Sequence, residues 1–142
     1  MDSDYIPYHI TDHTADLGII VKGHDLKSLF ENAAKAMIDL MVSGPPGSQK
    51  ITKDIVIEGQ DSEDLMVRWL GEILYLFSGE KLIVTTIKIT SLTSIMLQCK
   101  LTLTRFEPGR HRVRREIKAV TYHQISVERA KQGWVARIIF DI

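Results

Sequence analysis

Hydrophobic side chains recur at helical spacing in two stretches of this 142-residue chain. In residues 25–43 they return mostly every three or four positions, which predicts an amphipathic helix with Asp25 as its N-cap. In residues 61–78 they cover more than one stripe, so this second helix, capped by Asp61, is expected to be the more deeply buried one. Gly44-Pro45-Pro46-Gly47 predicts a loop after the first helix, because proline cannot continue a helix.

Runs of β-favouring or alternating residues predict strands in the rest of the chain. The predicted strands are residues 5–10, 17–22, 51–58, 82–90, 94–106, 116–123, 125–129 and 134–140. The alternation of apolar and polar residues in the 94–106 strand places Cys99 on its buried face. The order β-β-α-β-α-β-β-β-β-β predicts an α+β fold, a single domain over residues 1–142 in which a largely antiparallel sheet packs with two helices.

Composition and charge exclude several classes of protein. Hydrophobic residues make up 44% and charged residues 25% of the chain, which argues against disorder. With 18 basic and 18 acidic residues, no global field would draw the protein onto nucleic acid or an anionic membrane. The neutral total nevertheless conceals a polarised distribution, because residues 1–16 carry a charge of −4 and residues 105–118 a charge of +4.

Nothing in the sequence indicates a membrane anchor or a secretion signal. The longest strongly apolar stretches, such as residues 73–77, are far shorter than the roughly 20 residues that span a bilayer. Residues 1–8 contain two Asp and neither Lys nor Arg, unlike a signal peptide. We therefore expect a cytoplasmic protein without a membrane partner. Because Cys99 is the single cysteine, metal ligands have to be sought among carboxylates and histidines.

Two acidic segments are candidates for a cation site. Asp12-His13-Thr14-Ala15-Asp16 holds two carboxylates and an imidazole, and divalent cations such as Ca²⁺ prefer several oxygen ligands. A turn in which Asp12 or Thr14 bonds nearby backbone N–H groups is the alternative for this segment. Asp141-Ile142 places a side-chain carboxylate beside an α-carboxylate, after an apolar strand. If that strand pairs beside the first ones, these groups could converge on one cation; otherwise the strand simply ends at solvent.

The basic stretch and one histidine also carry two interpretations each. Residues 105–118 include Arg110 and Arg115, and either contact phosphate or RNA or form a charged hairpin that protects a sheet edge. His123 would act as a ligand or general base, or would only be hydrogen-bonded. A Cys99–His123 nucleophile pair is disfavoured, because a thiol on an apolar face is inert. No motif of a known catalytic class is present.

Five segments together resemble the archease family over essentially the whole chain. They are Asp12-His13-Thr14-Ala15-Asp16-Leu17-Gly18-Ile19, Phe30-Glu31-Asn32-Ala33-Ala34-Lys35-Ala36-Met37, Trp69-Leu70-Gly71-Glu72-Ile73-Leu74-Tyr75-Leu76-Phe77, Lys118-Ala119-Val120-Thr121-Tyr122-His123 and Phe140-Asp141-Ile142. The resemblance implies an accessory protein of the RtcB-type RNA-splicing ligase, which joins RNA ends in tRNA splicing or RNA repair. Such a protein promotes guanylylation and multiple turnover of the ligase, contacts RNA only indirectly through it, and is not itself an enzyme.

The resemblance also implies a site. It assigns a divalent cation, calcium by preference, to Asp16, Asp141 and Ile142, with Lys118 as a further functional position and Asp12 as a secondary candidate. Two other functions stay open at this point. One is an RNA-binding module that presents RNA ends through a hairpin containing Arg110 and Arg115. The other is a metal-dependent hydrolase that uses His13 or His123 as a base.

Overall fold

Both predicted helices are present, and each begins at its predicted cap. The computed structural model of the chain describes residues 7–11 and 16–142. Helix α1 spans Leu26–Met41, and Asp25 accepts a hydrogen bond from the backbone N–H of Ser28 at 2.7 Å. Helix α2 spans Ser62–Ser78, and Asp61 accepts from the N–H of Asp64 at 2.8 Å. Because a cap satisfies N–H groups that have no partner within the helix, these two aspartates set where the helices start.

Ten strands form three antiparallel sheets within the described residues. The strands are β1 (Tyr8–Thr11), β2 (Asp16–Gly23), β3 (Val42–Ser43), β4 (Ile51–Glu58), β5 (Leu82–Leu92), β6 (Met96–Arg105), β7 (Arg112–Val113), β8 (Ala119–Val120), β9 (Ser126–Ala130) and β10 (Gly133–Asp141). The large sheet has the order β1-β2-β10-β8, and β9 pairs with the first half of β10. A three-stranded sheet has the order β4-β6-β5, while β3 pairs with β7 alone. The predicted α+β class is confirmed.

The core lies between the two larger sheets and the two helices. Helix α1 packs on β2, β10 and β5, and α2 packs on β4, β5 and β8. Trp69 of α2 is fully buried and its indole N–H donates to the carbonyl oxygen of Phe30 at 2.9 Å, which satisfies the one polar group of that ring and joins the helices. Cys99 is 5% exposed and belongs to this core, as its alternating pattern predicted.

The predicted difference in burial between the helices is very small. Eight of the 16 residues of α1 and nine of the 17 residues of α2 are buried, so the two helices are covered to nearly the same extent. Three of the buried residues of α1 are alanines: Ala33, Ala34 and Ala36 are all inaccessible to solvent. Side chains this small let the helix approach its neighbours closely.

The prediction of a strand over residues 116–123 is largely wrong, since only Ala119–Val120 pair as β8. Ile117 turns into the core, with 4% exposure, and the chain enters a turn at His123. Gln124 in this turn has a positive φ of 53°, which is incompatible with a continuing strand. The short β3–β7 ladder was not predicted, because two-residue strands leave no periodic pattern.

Two turns contain a glycine with a positive φ. Gly109 has a φ of +93° in the turn after Pro108. Gly133 has a φ of +104° at the β9–β10 hairpin, and a Cβ atom there would lie 2.3 Å from the carbonyl oxygen of Gly23. Glycine is therefore required at position 133 by both backbone conformation and space. Neither helix in the described part of the chain is long and apolar enough to cross a membrane.

Candidate functional site

The first and last regions of the chain meet in the large sheet. Strand β10 runs antiparallel to β2, and their register pairs Asp141 with Asp16 and Phe140 with Leu17. Directly opposed residues of an antiparallel pair place their side chains on the same face of the sheet. The two aspartates therefore share one face at the end of the ladder.

Burial along these strands identifies that face. Phe140 is 0% and Leu17 is 7% exposed, so both point into the core. Since neighbouring residues of a strand alternate between faces, Asp16 and Asp141 lie on the face that points away from the core. Asp141 is exposed and Asp16 is half-buried. The carboxylates are consequently accessible from outside the protein.

The backbone of Lys118, the residue before β8, also lies against Asp141. Strand β8 pairs with the other edge of β10, where Ala119 lies opposite Asp141. The backbone N–H of the preceding residue, Lys118, donates to the carbonyl oxygen of Asp141 at 2.7 Å. Lys118 is exposed. The sheet thus brings together three of the predicted site residues, Asp16, Asp141 and Lys118, from three different parts of the sequence.

The two opposed carboxylates supply part of the oxygen ligand set that a hard divalent cation prefers. Like charges directly opposite each other on neighbouring strands repel unless a cation or a proton compensates them. Ile142, which follows Asp141 directly and is the third residue that the resemblance assigned to the cation, is 40% exposed. Residues 7–11 and 16–142 contain no group of three or more His, Cys, Asp or Glu side chains placed to bind a metal. Two side chains alone are too few for Ca²⁺, so further oxygen ligands such as the Ile142 carboxylate would be needed.

Comparison with known proteins gives this site a family context. The sequence profile of the Archease protein family (MTH1598/TM1083) matches residues 8–142. The chain belongs to the archease family. It is 31% identical to protein archease from Methanosarcina acetivorans over 146 aligned positions, covering 100% of both chains. It is 36% identical to protein archease from Pyrococcus furiosus over 135 positions, covering 92% of this chain and 95% of that one.

Two solved structures share the fold of this archease family member. The solution structure of protein 1598 from Methanobacterium thermoautotrophicum has a TM-score of 0.71 and 29% identity, and covers 97% of this chain and 100% of that one. The crystal structure of a Thermotoga maritima archease, described as a possible chaperone, has a TM-score of 0.63 and 20% identity, with 93% and 94% coverage. The latter likeness concerns the fold alone.

Other predicted site residues of this archease family member lie elsewhere. Asp12 and His13 fall outside the described residues. His123 is exposed in the turn after β8, where its backbone N–H donates to the Thr121 hydroxyl at 3.3 Å. Cys99 lies in the three-stranded sheet, where burial, with a smaller effect from the Asp54 charge, raises the pKa of its thiol to about 11. A thiol in this state is not a nucleophile at neutral pH.

The predicted arginine hairpin is not a hairpin. Residues 107–111 form a turn in which the buried His111 ring accepts from the Glu107 N–H at 2.9 Å and contacts the Pro45 carbonyl oxygen at 2.8 Å. Beyond it, β7 pairs with β3 and not with an edge of either larger sheet. The His111 ring and the short β3–β7 pairing together anchor this segment. Arg114 is held by Asp39, with contacts of 2.9 Å to its carbonyl oxygen and 3.4 Å to its carboxylate.

The sequence did not reveal the role of Asp64. This residue in the first turn of α2 accepts hydrogen bonds from the Tyr122 hydroxyl at 2.5 Å, the Gln60 N–H at 2.8 Å and Arg68 Nε at 3.0 Å. The Tyr122 bond is the largest of the causes that lower the pKa of the Asp64 carboxyl. The position of Asp64 in the first helical turn was a visible signal, because carboxylates are favoured there. Its partner Tyr122 is 58 residues away and left no signal in the sequence.

Proposed function

We propose that this chain is an accessory protein of an RtcB-type RNA-splicing ligase and promotes its guanylylation and multiple turnover in tRNA splicing or RNA repair. It would contact RNA only through the ligase. Membership of the archease family supports this proposal. The observation that carries it furthest is the register that pairs Asp16 with Asp141 and brings the backbone of Lys118 against Asp141, because two acidic residues and one basic residue from three separate segments then meet at an accessible sheet end.

Asp16, Asp141 and the α-carboxylate of Ile142 are the groups proposed to hold a divalent cation, with calcium as the first choice. Calcium favours carboxylate oxygens and tolerates irregular geometry, which suits ligands from two strands and a terminus. The bound ion would supply positive charge that offsets the repulsion between the opposed carboxylates. Asp12 and His13, which precede β2 in the sequence, are further candidates for the same site.

Lys118 is proposed to act as the charged partner beside the carboxylates. Its backbone N–H is bound to the Asp141 carbonyl, so the start of its side chain is fixed relative to the acidic pair. An ammonium group at this place can meet a phosphate or a carboxylate of the ligase. Together, the three side chains would let this end of the sheet approach the ligase active site and favour the conformation that is competent for guanylylation.

A ligation assay with limiting purified ligase tests the accessory function. Asp16→Ala, Asp141→Ala and Lys118→Ala should each lose most of the stimulation while keeping the circular dichroism spectrum of the native protein. Asp54→Ala and Lys88→Ala are matched controls, because both residues are exposed on the other sheet, and they should stimulate fully. Full stimulation by the folded Asp16 and Asp141 variants would refute the proposed role of the acidic pair.

Calcium titration by calorimetry tests the cation site independently of the ligase. The native protein should bind Ca²⁺ with a stoichiometry near one, and loss of either aspartate should weaken binding at least about tenfold. Adding a glycine after Ile142 moves the α-carboxylate and should weaken binding as well. Absence of Ca²⁺ and Mg²⁺ binding by the native protein would contradict the site even if stimulation of the ligase is observed.

A further inference from the structure

A cavity of about 250 Å³ opens at the end of the molecule formed by the last turn of α2 and the segment after β7. Its walls are mainly apolar and consist of Met41, Leu74, Phe77, Phe106, Val113 and Ile117. The rings of Phe77 and Phe106 meet edge to face, with centroids 6.1 Å apart. Val113 is 51% exposed at the opening.

Backbone hydrogen bonds fix the walls of the cavity. On one side, the backbone N–H of Arg114 donates to the carbonyl oxygen of Met41 at 2.8 Å, and Val113 pairs with Val42. On the other side, the N–H of Phe106 donates to the carbonyl oxygen of Lys81 at 2.9 Å. Walls that are held by backbone hydrogen bonds need little ordering on binding, which lowers the entropic cost of filling the cavity.

Positive charge surrounds the opening. Arg115 and Lys81 line the lip, and both are exposed. Lys81 has a positive φ of 61° at the end of α2, and its ammonium group donates to the carbonyl oxygen of Ser78 at 3.1 Å, which holds it at the lip. Glu116 is the one acidic residue there. The two basic residues and one acidic residue give the lining a net charge of +1, so the opening is complementary to an acidic partner.

Size and chemistry select the kind of group that fits. Pockets for whole small molecules span about 300–1,000 Å³, so this smaller cavity matches one large side chain. A nucleobase has polar edges, and burying these against apolar walls without hydrogen-bond partners is costly. A phenylalanine or leucine side chain has no such cost, and interfaces are commonly anchored by large side chains of this kind.

We propose that this cavity is a docking site for an acidic segment of a partner protein, in which one large apolar side chain fills the cavity while a flanking carboxylate pairs with Arg115 or Lys81. The inference goes beyond the proposed function, because it requires neither a ligase nor a bound cation. It also gives the basic residues of the 105–118 segment a role in recognising protein.

NMR titration of the ¹⁵N-labelled protein with synthetic peptides tests the proposal. The probe is the end-blocked peptide Asp-Glu-Phe-Glu-Asp, and the comparison peptides carry Ala for Phe or Lys for each acid. The Phe probe should cause saturable shifts of the Phe106, Val113 and Ile117 amides. The Ala and Lys peptides should bind at least tenfold more weakly. Equal binding of the Phe and Ala peptides, or no shifts at millimolar Phe probe, would overturn the proposal.

Two variants and a nucleic-acid competitor complete the test. Arg115→Glu should weaken binding of the Phe probe at least tenfold, whereas Lys88→Glu, an equal charge reversal on an exposed residue of β5, should not. An equal loss in both variants would show only a general charge effect and would overturn the proposed site. A short oligouridine that shifts the same amides and displaces the peptide would overturn it in favour of RNA. Calcium binding by these variants should be unchanged, which separates this site from the acidic pair.

Discussion

The hydroxyl of Tyr122 donates a 2.5 Å hydrogen bond to the Asp64 carboxylate, although the Tyr122 side chain is 56% exposed. This bond joins the N-terminal turn of α2 to the turn that follows β8. A second bond nearby, from the Val127 N–H to the Glu63 carboxylate at 3.2 Å, joins the same helix end to β9. The acidic start of α2 therefore fastens the chain on both sides of that turn, close to the strand that follows Lys118.

Replacing Tyr122 by Phe should destabilise the protein in a pH-dependent way. The hydrogen bond lowers the pKa of Asp64, so its contribution to stability is present above the unfolded-state value of about 3.9 and is lost as the pH falls through the lower folded value. The pKa of Tyr122 is raised by the same bond, so the contribution is also lost in strong alkali, above about pH 10. Urea unfolding from acid to neutral pH measures this difference.

Tyr75→Phe is the matched control for that experiment. Tyr75 is 54% exposed, and its hydroxyl makes no hydrogen bond within the described residues, so the substitution should change stability little at any pH. A gap between native protein and Tyr122→Phe that stays constant from neutral to strongly acid pH would contradict the role of the ionised Asp64.

Two glycines should respond to alanine substitution in opposite directions. Gly71 lies inside α2, and a Cβ atom there would meet nothing within 4 Å, so Gly71→Ala should stabilise the protein by about 1 kcal/mol. At Gly23 a Cβ atom would lie 2.4 Å from the backbone nitrogen of Leu29, so Gly23→Ala should destabilise by about 1–3 kcal/mol. Urea unfolding of both variants gives the two values. A Gly23→Ala variant as stable as the native protein would show that the α1–β2 approach is looser than described.

His111→Ala should destabilise the turn that precedes β7. The Nδ1 atom accepts from the Glu107 N–H, so Nε2 carries the proton and donates to the Pro45 carbonyl oxygen. Loss of the ring leaves both backbone groups without their partner, which should cost about 2 kcal/mol or more. Thermal or urea unfolding measures the loss, and His24→Ala, at an exposed position, is the control. Equal stability of the two variants would contradict the bridging role.

Cys99 should be inert towards alkylation in the folded protein. Burial raises its pKa to about 11, so little thiolate forms at mildly alkaline pH, and the side chain is only 5% exposed. Mass spectrometry after iodoacetamide treatment should find almost no modification without denaturant and complete modification in denaturing urea. Rapid labelling of the native protein would mean that the three-stranded sheet opens readily.

Local sequence was sufficient for features whose causes are local. Asp25 and Asp61 mark the helix starts because a capping carboxylate binds an N–H only three residues away. The alternating residues around Cys99 fix its face because successive strand residues point to opposite sides. The same reasoning made the predicted strand at residues 116–123 too long. The β propensity of these residues does not indicate the turn at His123 or the hydrogen bond of Tyr122 to the distant Asp64.

The sequence by itself determined the two capped helices and the α+β class. Through its resemblance to the archease family it also indicated which acidic and basic residues are candidates for the functional site. Only the tertiary structure decided that Asp16 and Asp141 are direct partners and that Lys118 lies beside them. Alternation along a strand specifies which face is buried but not which strand lies next to it. Pairing is chosen by packing across the whole domain, and it is this packing that places β10 between β2 and β8 and turns three scattered residues into one site.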